Sequence, residues 1–319
     1  MAGNIYNNQS SAGDAGSNNY AINPYAMAMG LDQLRDNLVV TALITNYSQV
    51  ARNQGSRFSN AVRVPKWGSL TAGTKTPGTA FTYEQPTMTK ADITIDTHKV
   101  AAFLVEDFGG LFAPETREAY MREAGAVIAE AIEDDVIALY ASAGRTLGSI
   151  TEDVDVDFLA NVNYYSRSDK WRGNAEKFIV LGPRGEQDLL AGVTLSQYAI
   201  QGGDQSALRN AALGQIFNFG VFASSAMPAY TGSSSAEHGM AFQREAMGIA
   251  FMDMTMENIP GVEMRAMNAS DDNGNLIYSM RSVVDYSHTN LGVGVSVDTI
   301  YGCGVVNDAL LYDLVIGDY

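Results

Sequence analysis

The sequence is poor in the residues that do covalent and metal chemistry. It holds one cysteine, Cys303, and three histidines, His98, His238 and His288. A lone cysteine excludes an internal disulfide framework and fits a reducing compartment at synthesis. No apolar run reaches the roughly 18 residues of a membrane span. The start, MAGNIYNNQSSAGDAGSNNY, lacks the basic opening and apolar centre of a secretion signal. Basic residues are also scarce, 20 against 36 acidic, for a net charge of −16. A protein that grips nucleic acid releases counterions through a Lys/Arg surface, and this chain lacks that excess. What is present is 319 residues, 46% hydrophobic and 18% charged, enough for a sizeable core and about two domains.

The charge is uneven. Residues 57–90 carry Arg57, Arg63, Lys66, Lys75 and Lys90 against Glu84 alone. An acidic stretch follows, with Glu130, Glu133, Asp134 and Asp135, then Glu152, Asp153, Asp155 and Asp157. A structureless loop as long as 57–90 is uncommon in a compact domain unless it has a function. Val62, Val64, Trp67, Phe81 and Tyr83 are spread along it, while Gly68, Gly73, Gly78, Pro65, Pro77 and Pro86 limit regular pairing. An extended hairpin arm is the expectation. Apolar residues that an arm cannot bury itself call for a neighbouring chain, which points to assembly before chemistry. A basic arm on an acidic body steers like chains together; the plain alternative is ordinary surface charge, because exposed pairs contribute little.

Along the chain, residues 1–30 are rich in Asn, Ser, Gly and Ala with only Asp14 charged, and read as a flexible arm that orders on a partner. Leu31, Leu34, Leu38, Ala42 and Val50 give helical spacing up to the stop at Gly55. Ile93 and Ile95 alternate with Asp92, Thr94 and Asp96, so 91–105 reads as one strand that enters a core over Val100–Val105. From Pro114, suited to a first helical turn, Tyr120, Ala124, Ile128, Ile132, Val136 and Tyr140 define one face of a helix to about Ser142. Such a helix is ~40 Å long. Further strands are expected at Phe178–Leu181, Ile216–Ser225, Val262–Ala266, Leu276–Val284 and as a strand–turn–strand over Thr299–Ile316, with a helix at Pro183–Ala191 and loop and helix at Gln201–Ala212. Asp272-Asn273-Gly274 is a hairpin signal.

No constellation assembles into an active site. The acidic cluster Glu130, Glu133, Asp134, Asp135 lacks the Glu-x-x-His partners of a carboxylate-bridged metal pair. Asp153-x-Asp155-x-Asp157 opens like a calcium loop, but Phe158 stands where the glycine belongs and Tyr164 where the bidentate Glu belongs. Gly182-Pro183-Arg184-Gly185 lacks both the Gly-Lys-[Ser/Thr] ending of a P-loop and the three-glycine dinucleotide pattern. Cys303 in a strand-like run reads as a small buried hydrophobe, with no activating base evident beside it. No cofactor, metal or enzymatic activity is expected.

The order of these parts carries a resemblance. Val62–Thr82 leading into Ala91–Val105, the helix Pro114–Ser142, KFIVLGPRGEQDLLAG (177–192) with LGQIFNFGVFASSAMP (213–228), then GMAFQREAMGIAFM (239–252) and YGCGVVNDALLYDL (301–314) resemble the major capsid proteins of tailed bacteriophages. These have the Hong Kong 97-type fold, which encapsulin shells share. The resemblance implies an α+β fold with an N-terminal arm (1–30), an N-terminal helix (31–55) and an extended loop (56–90). It further implies a peripheral domain (91–175 and 236–298) with a spine helix at 114–142, and an axial α/β domain (176–235 and 299–319). It implies a protein that self-assembles as pentamers and hexamers into an icosahedral shell. The shell would enclose double-stranded DNA without sequence-specific binding, and an acidic inner wall would let that DNA slide. An encapsulin-type nanocompartment enclosing cargo protein is the alternative, and a hydrolase or a monomeric adhesion module are rivals of other classes. Only Met1–Gly30 precedes the first helix, so a separate scaffolding protein is implied, with a portal protein and a decoration protein as further partners. No membrane is involved, and the expected location is the virion, assembled in the host bacterial cytoplasm. Inter-subunit contacts are expected from Arg57, Arg63, Lys66 and Trp67 to Glu130, Glu133 or Asp134 of an adjacent copy.

Overall fold

The computed structural model describes residues 38–53, 60–68, 70–81, 83–106, 116–173, 175–191, 215–231, 236–254, 263–270 and 276–317. In chain order the elements are α1 (Val40–Leu43), β1 (Thr45–Asn46), α2 (Ser48–Asn53), β2 (Ala61–Trp67), β3 (Met88–Thr94), β4 (Thr97–Glu106) and α3 (Thr116–Ile137), the last continued by a 3₁₀ turn, Ala138–Ser142. Next come β5 (Arg145–Ser149), α4 (Val156–Ser168), β6 (Lys177–Leu181), α5 (Pro183–Ala191), β7 (Gln215–Ile216), β8 (Phe219–Ala223) and β9 (Glu237–Gln243). The chain closes with β10 (Met247–Phe251), β11 (Glu263–Ser270), β12 (Leu276–Ser287), β13 (Gly292–Val305), a 3₁₀ turn at Asp308–Leu310, and β14 (Leu311–Ile316). The result is a mixed α+β protein with several sheets.

One six-stranded sheet runs β1-β10-β13-β12-β11, with β4 also paired to β13; a second runs β5-β14-β9-β6-β8-β7; β2 and β3 form a separate ribbon. β13 is the organiser of the first sheet. Its first part lies between β12 and β4, and its last residues leave β4 to pair with β10. The long helix α3 packs Met121, Ala124, Ile128, Ile132 and Val136 into one cluster with Val293, Val295, Val297 and Tyr301 of the first sheet and Met240, Phe242 and Leu311 of the second. Spacing of three and four residues puts these side chains on one stripe, so the helix bridges both sheets. Of the expected face, Tyr120 is instead exposed and Tyr140 half-buried. The α-helical part has 22 residues, or ~33 Å, with Pro114 outside the described residues.

Several expectations need correction. The N-terminal helix is two short helices separated by β1, which pairs in parallel with β10, while residues 31–37 lie outside the described residues. Thr45 and Asn46 are drawn out of the helix by tertiary bonds, Thr45 Oγ1 donating to the Arg244 carbonyl at 2.8 Å and Asn46 Nδ2 to the Ile277 carbonyl at 2.8 Å. The run 91–105 is two strands broken at Ile95–Asp96: β3 pairs with β2, and β4 joins the first sheet. Along β4 burial alternates, with Val100 and Leu104 exposed, so this strand is half-buried and not a core strand. The expected strand Ile216–Ser225 is a hairpin, β7–β8, turned at Phe217 and Asn218 with φ of 48° and 75°. Positive φ at both central residues is the two-residue hairpin turn whose twist suits its strands. β5, β9 and α4 associate with the 177–191 unit, whereas β13 stays in the first sheet through Val305. Those memberships depend on pairings between residues distant in sequence. β11 and β12 pair antiparallel on either side of Asp272-Asn273-Gly274, which, like Gln201–Ala212 and residues 1–30, lies outside the described residues.

Candidate assembly interface

β2 and β3 pair in register from Ala61↔Thr94 to Trp67↔Met88, which builds a projecting ribbon whose far end is residues 68–87. Its base is buried by the chain itself: Val62, Val64, Ile93 and Ile95 form a small cluster with Ala51 and Ala250. β13 passes so close beneath that a Cβ on Gly302 would lie 2.0 Å from the Thr94 carbonyl oxygen. Beyond the base, every described residue from 70 to 90 is exposed, including Leu70 (68%), Phe81 (55%), Tyr83 (84%) and Met88 (61%). Of the five arm residues singled out from the sequence, the two valines are therefore covered internally, and Phe81 and Tyr83 are not.

The basic residues of the ribbon sit on its surface. Arg63 Nε lies 3.9 Å from Asp92 and Lys66 Nζ 3.9 Å from Asp308, both pairs well exposed. Pairs of that length and exposure contribute about 0–1 kcal/mol. Arg57 lies outside the described residues, and Trp67 is placed only by its backbone pairing with Met88.

The acidic residues divide. Glu130 and Asp134, one turn apart on α3, are exposed. Glu133 is 4% exposed and committed within its own chain: its carboxylate accepts from Val40 N–H at 2.5 Å, Thr41 N–H at 3.1 Å and Thr41 Oγ1 at 2.9 Å. A carboxylate at the first amides of a helix meets donors that have no intrahelical acceptor. Glu133 thus fastens α1 to α3. Asp135 is only partly buried but is also engaged within the chain, accepting from Tyr301 Oη at 2.5 Å and pairing with Lys99 at 3.1 Å. Burial and this contact drive the Tyr301 hydroxyl far above its usual range.

The remaining motifs are structural. Asp155 is the N-cap of α4, accepting from Phe158 N–H at 2.7 Å. The Gly182–Gly185 turn already holds an anion of its own, since Gly185 N–H donates to Glu237 at 2.7 Å. Burial, then Asp135 and Asp96, push the Cys303 thiol up to about 11, which leaves almost no thiolate at neutral pH. His98 and Arg281 flank the buried Asp298, at 2.8 Å and 2.6 Å, and tie β4, β13 and β12 together; sequence reasoning missed this network, since its members are distant in the chain. Hydrogen bonding to Asp298 raises the Arg281 guanidinium. His238 is bonded to Asp313 at 2.8 Å between the rings of Tyr140 and Tyr230. Among the described residues no group of three or more His, Cys, Asp or Glu side chains is placed to hold a metal ion, and no helix is long and apolar enough to cross a membrane.

No protein-family model matches the chain, and no curated protein matches it. Solved structures do. A structure from Mycobacterium phage Che8 superposes with a TM-score of 0.60 at 18% identity, over 87% of this chain and 90% of the other. The capsid structure of the cyanophage P-SCSP1u gives 0.58 at 16%, over 88% and 89%. The head structure of Helicobacter pylori bacteriophage KHP40 gives 0.56 at 15%, over 81% and 85%. This chain has the tailed-phage major capsid fold. In that capsid fold the shared framework spans most of both chains at low identity, so it is the order and pairing of elements that is common rather than a set of side chains. Among the described residues, Leu70, Phe81, Tyr83 and Met88 of the arm, and Glu130 and Asp134 on α3, are exposed on this framework.

Proposed function

We propose that this chain is a structural, non-enzymatic major capsid protein that assembles as pentamers and hexamers into an icosahedral shell around double-stranded DNA. The observation that carries this reading is the arm: Leu70, Phe81, Tyr83 and Met88 are exposed on a ribbon that its own chain does not cover. Closed symmetric packing gives each copy the same cover. The capsid fold supports the reading, as does the acidic balance of −16, which suits a wall that does not grip DNA. The first sheet with α3 corresponds to the peripheral domain with its spine helix, the second sheet to the axial domain, and residues 56–90 to the extended loop.

Within the assembly Arg57, Arg63, Lys66 and Trp67 contact Glu130 and Asp134 of an adjacent copy, Glu133 being committed internally. Trp67 matters more than either single charge, since aromatic side chains anchor interfaces. A separate scaffolding protein, a portal protein and a decoration protein are the partners in this reading, and the virion, built in the host bacterial cytoplasm, is the place. The test is electron microscopy and light scattering of the expressed protein with and without scaffold. Capsomers or shells are expected; a 34.2 kDa species alone at every concentration refutes the reading.

A further inference from the structure

The tip of the arm is more ordered than its exposure requires. Although every described side chain from 70 to 90 faces solvent, the two limbs are tied together. Gly68 N–H donates to the Thr87 carbonyl at 3.1 Å. Further out, Thr71 N–H and Thr71 Oγ1 donate to the two oxygens of Glu84, at 2.7 Å and 3.0 Å. At the far end Thr76-Pro77-Gly78-Thr79 is a closed turn: Gly78 has φ of 86°, and Thr79 N–H donates to the Thr76 carbonyl at 3.3 Å. Proline followed by a positive-φ glycine is the type II arrangement, which needs no burial to persist. Glu84 is also the only acid among the basic residues of 57–90, and it bonds to its own arm.

We propose that Glu84 is a latch that preforms the arm, its carboxylate bridging to Thr71 so that a second copy meets a rod and not a loose loop. This rests on the assembly role proposed above. A segment that orders only on docking loses conformational freedom at that moment, whereas one ordered beforehand docks without that cost. Bonds from an amide and a hydroxyl to one carboxylate are charge-assisted, and the amide bond at 2.7 Å is short, the kind able to hold an exposed turn. The backbone bond from Thr71, then the hydroxyl bond, hold the Glu84 carboxyl below its usual range. A depressed carboxyl lends its order above its unfolded value and loses it as the pH falls through the folded one, so the latch is closed at neutral pH and opens in acid. The other ionisable groups at the tip are Lys75, whose amine lies 5.8 Å over the Phe81 ring, and Tyr83, whose ring packs on Phe81 at 4.7 Å.

The experiment compares wild type, Glu84→Ala and Thr71→Val as dilute subunits and in assembly. Both substituted residues are exposed, so the fold is expected to survive. In free subunits, hydrogen-exchange protection of the Thr71 amide should fall about threefold to tenfold in Glu84→Ala. Thr71→Val keeps the amide donor and should show a smaller loss. Both variants should assemble more slowly and in that order, while finished shells look alike. Unchanged exchange in Glu84→Ala overturns the latch whether or not shells form. Lost protection with a wild-type assembly rate overturns its role in docking. Wild-type subunits that never assemble refute the assembly role instead, and the exchange measurement still decides the latch.

Discussion

Glu133 offers the sharpest test of how α3 holds the start of the described chain. Glu133→Ala strands three donors, Val40 N–H, Thr41 N–H and Thr41 Oγ1, at a position only 4% exposed. An unsatisfied buried donor costs about 1–3 kcal/mol, but α1 has only four residues and can shift to admit water, so the set should cost ~3 kcal/mol rather than three full penalties. Glu133→Gln keeps one acceptor and turns an amide N–H₂ toward the other donors, for about half that loss. Glu130→Ala is the control: one turn earlier on the same helix and exposed, it should change stability by less than about 0.5 kcal/mol. Urea unfolding of dilute subunits reads all three on one scale, and amide exchange at residues 40–43 should accelerate only in the Glu133 variants. Equal midpoints for Glu133→Ala and Glu130→Ala would refute the reasoning, since the difference between them is burial and bonding, not charge.

Ile132→Ala removes a fully buried side chain from the core cluster that α3 shares with both sheets and should cost about 2–5 kcal/mol in the same unfolding assay. Arg281→Ala leaves the buried Asp298 carboxylate with His98 alone and should cost roughly 2–4 kcal/mol, with Asp298→Ala costing less because the Arg281 side chain it orphans is partly solvated; similar values would argue against the network. Alkylation of Cys303 at neutral pH should be at least about tenfold slower than that of a free thiol and should accelerate as the pH rises toward 11, the sign expected for a raised thiol; rapid labelling at neutral pH contradicts the burial. Gly302→Ala should yield poorly folded protein, because its Cβ would strike the Thr94 backbone and β13 cannot move away without leaving β4 and β10. Soluble, stable Gly302→Ala would show that the crossing is looser than described.

What the sequence made legible was local and periodic. α3 could be read because Ala124, Ile128, Ile132 and Val136 repeat along one face, and α5 because Pro183 opens it beside a short apolar strand. The arm could be read because its glycines, prolines and basic residues differ from everything around them. Illegible features depended on distant partners. Nothing near Thr45 announces that it will pair with Gly248, and without that pairing Leu31–Asn53 looks like one helix. Ile95–Asp96 breaks a run whose alternation over Asp92–Asp96 gives no sign of a break, because β2 and β13 claim its two halves. The candidate site shows the same division. Charge marked Glu130, Glu133 and Asp134 alike, and helix spacing turns Glu133 inward only once residues 40–41 are known to lie against it.

That division bears on how the arm is to be understood. Its base has ordinary core chemistry, with Val62 and Val64 sealed by α2 and β10, so the ribbon is fixed to the body at one end. Its tip has none, and is held by a turn, a carboxylate bridge and a strand-end hydrogen bond. An extension that merely decorated the surface would need neither a rigid root nor order at its end. An extension that must deliver Leu70, Phe81 and Tyr83 to another molecule needs both. Misplacing an anchor forfeits the interface it belongs to, and a flexible anchor must be ordered at the moment of contact. In the assembly role proposed above, the exposed aromatic tip and the buried aliphatic root are two parts of one device, and its partner is a further copy of the same chain.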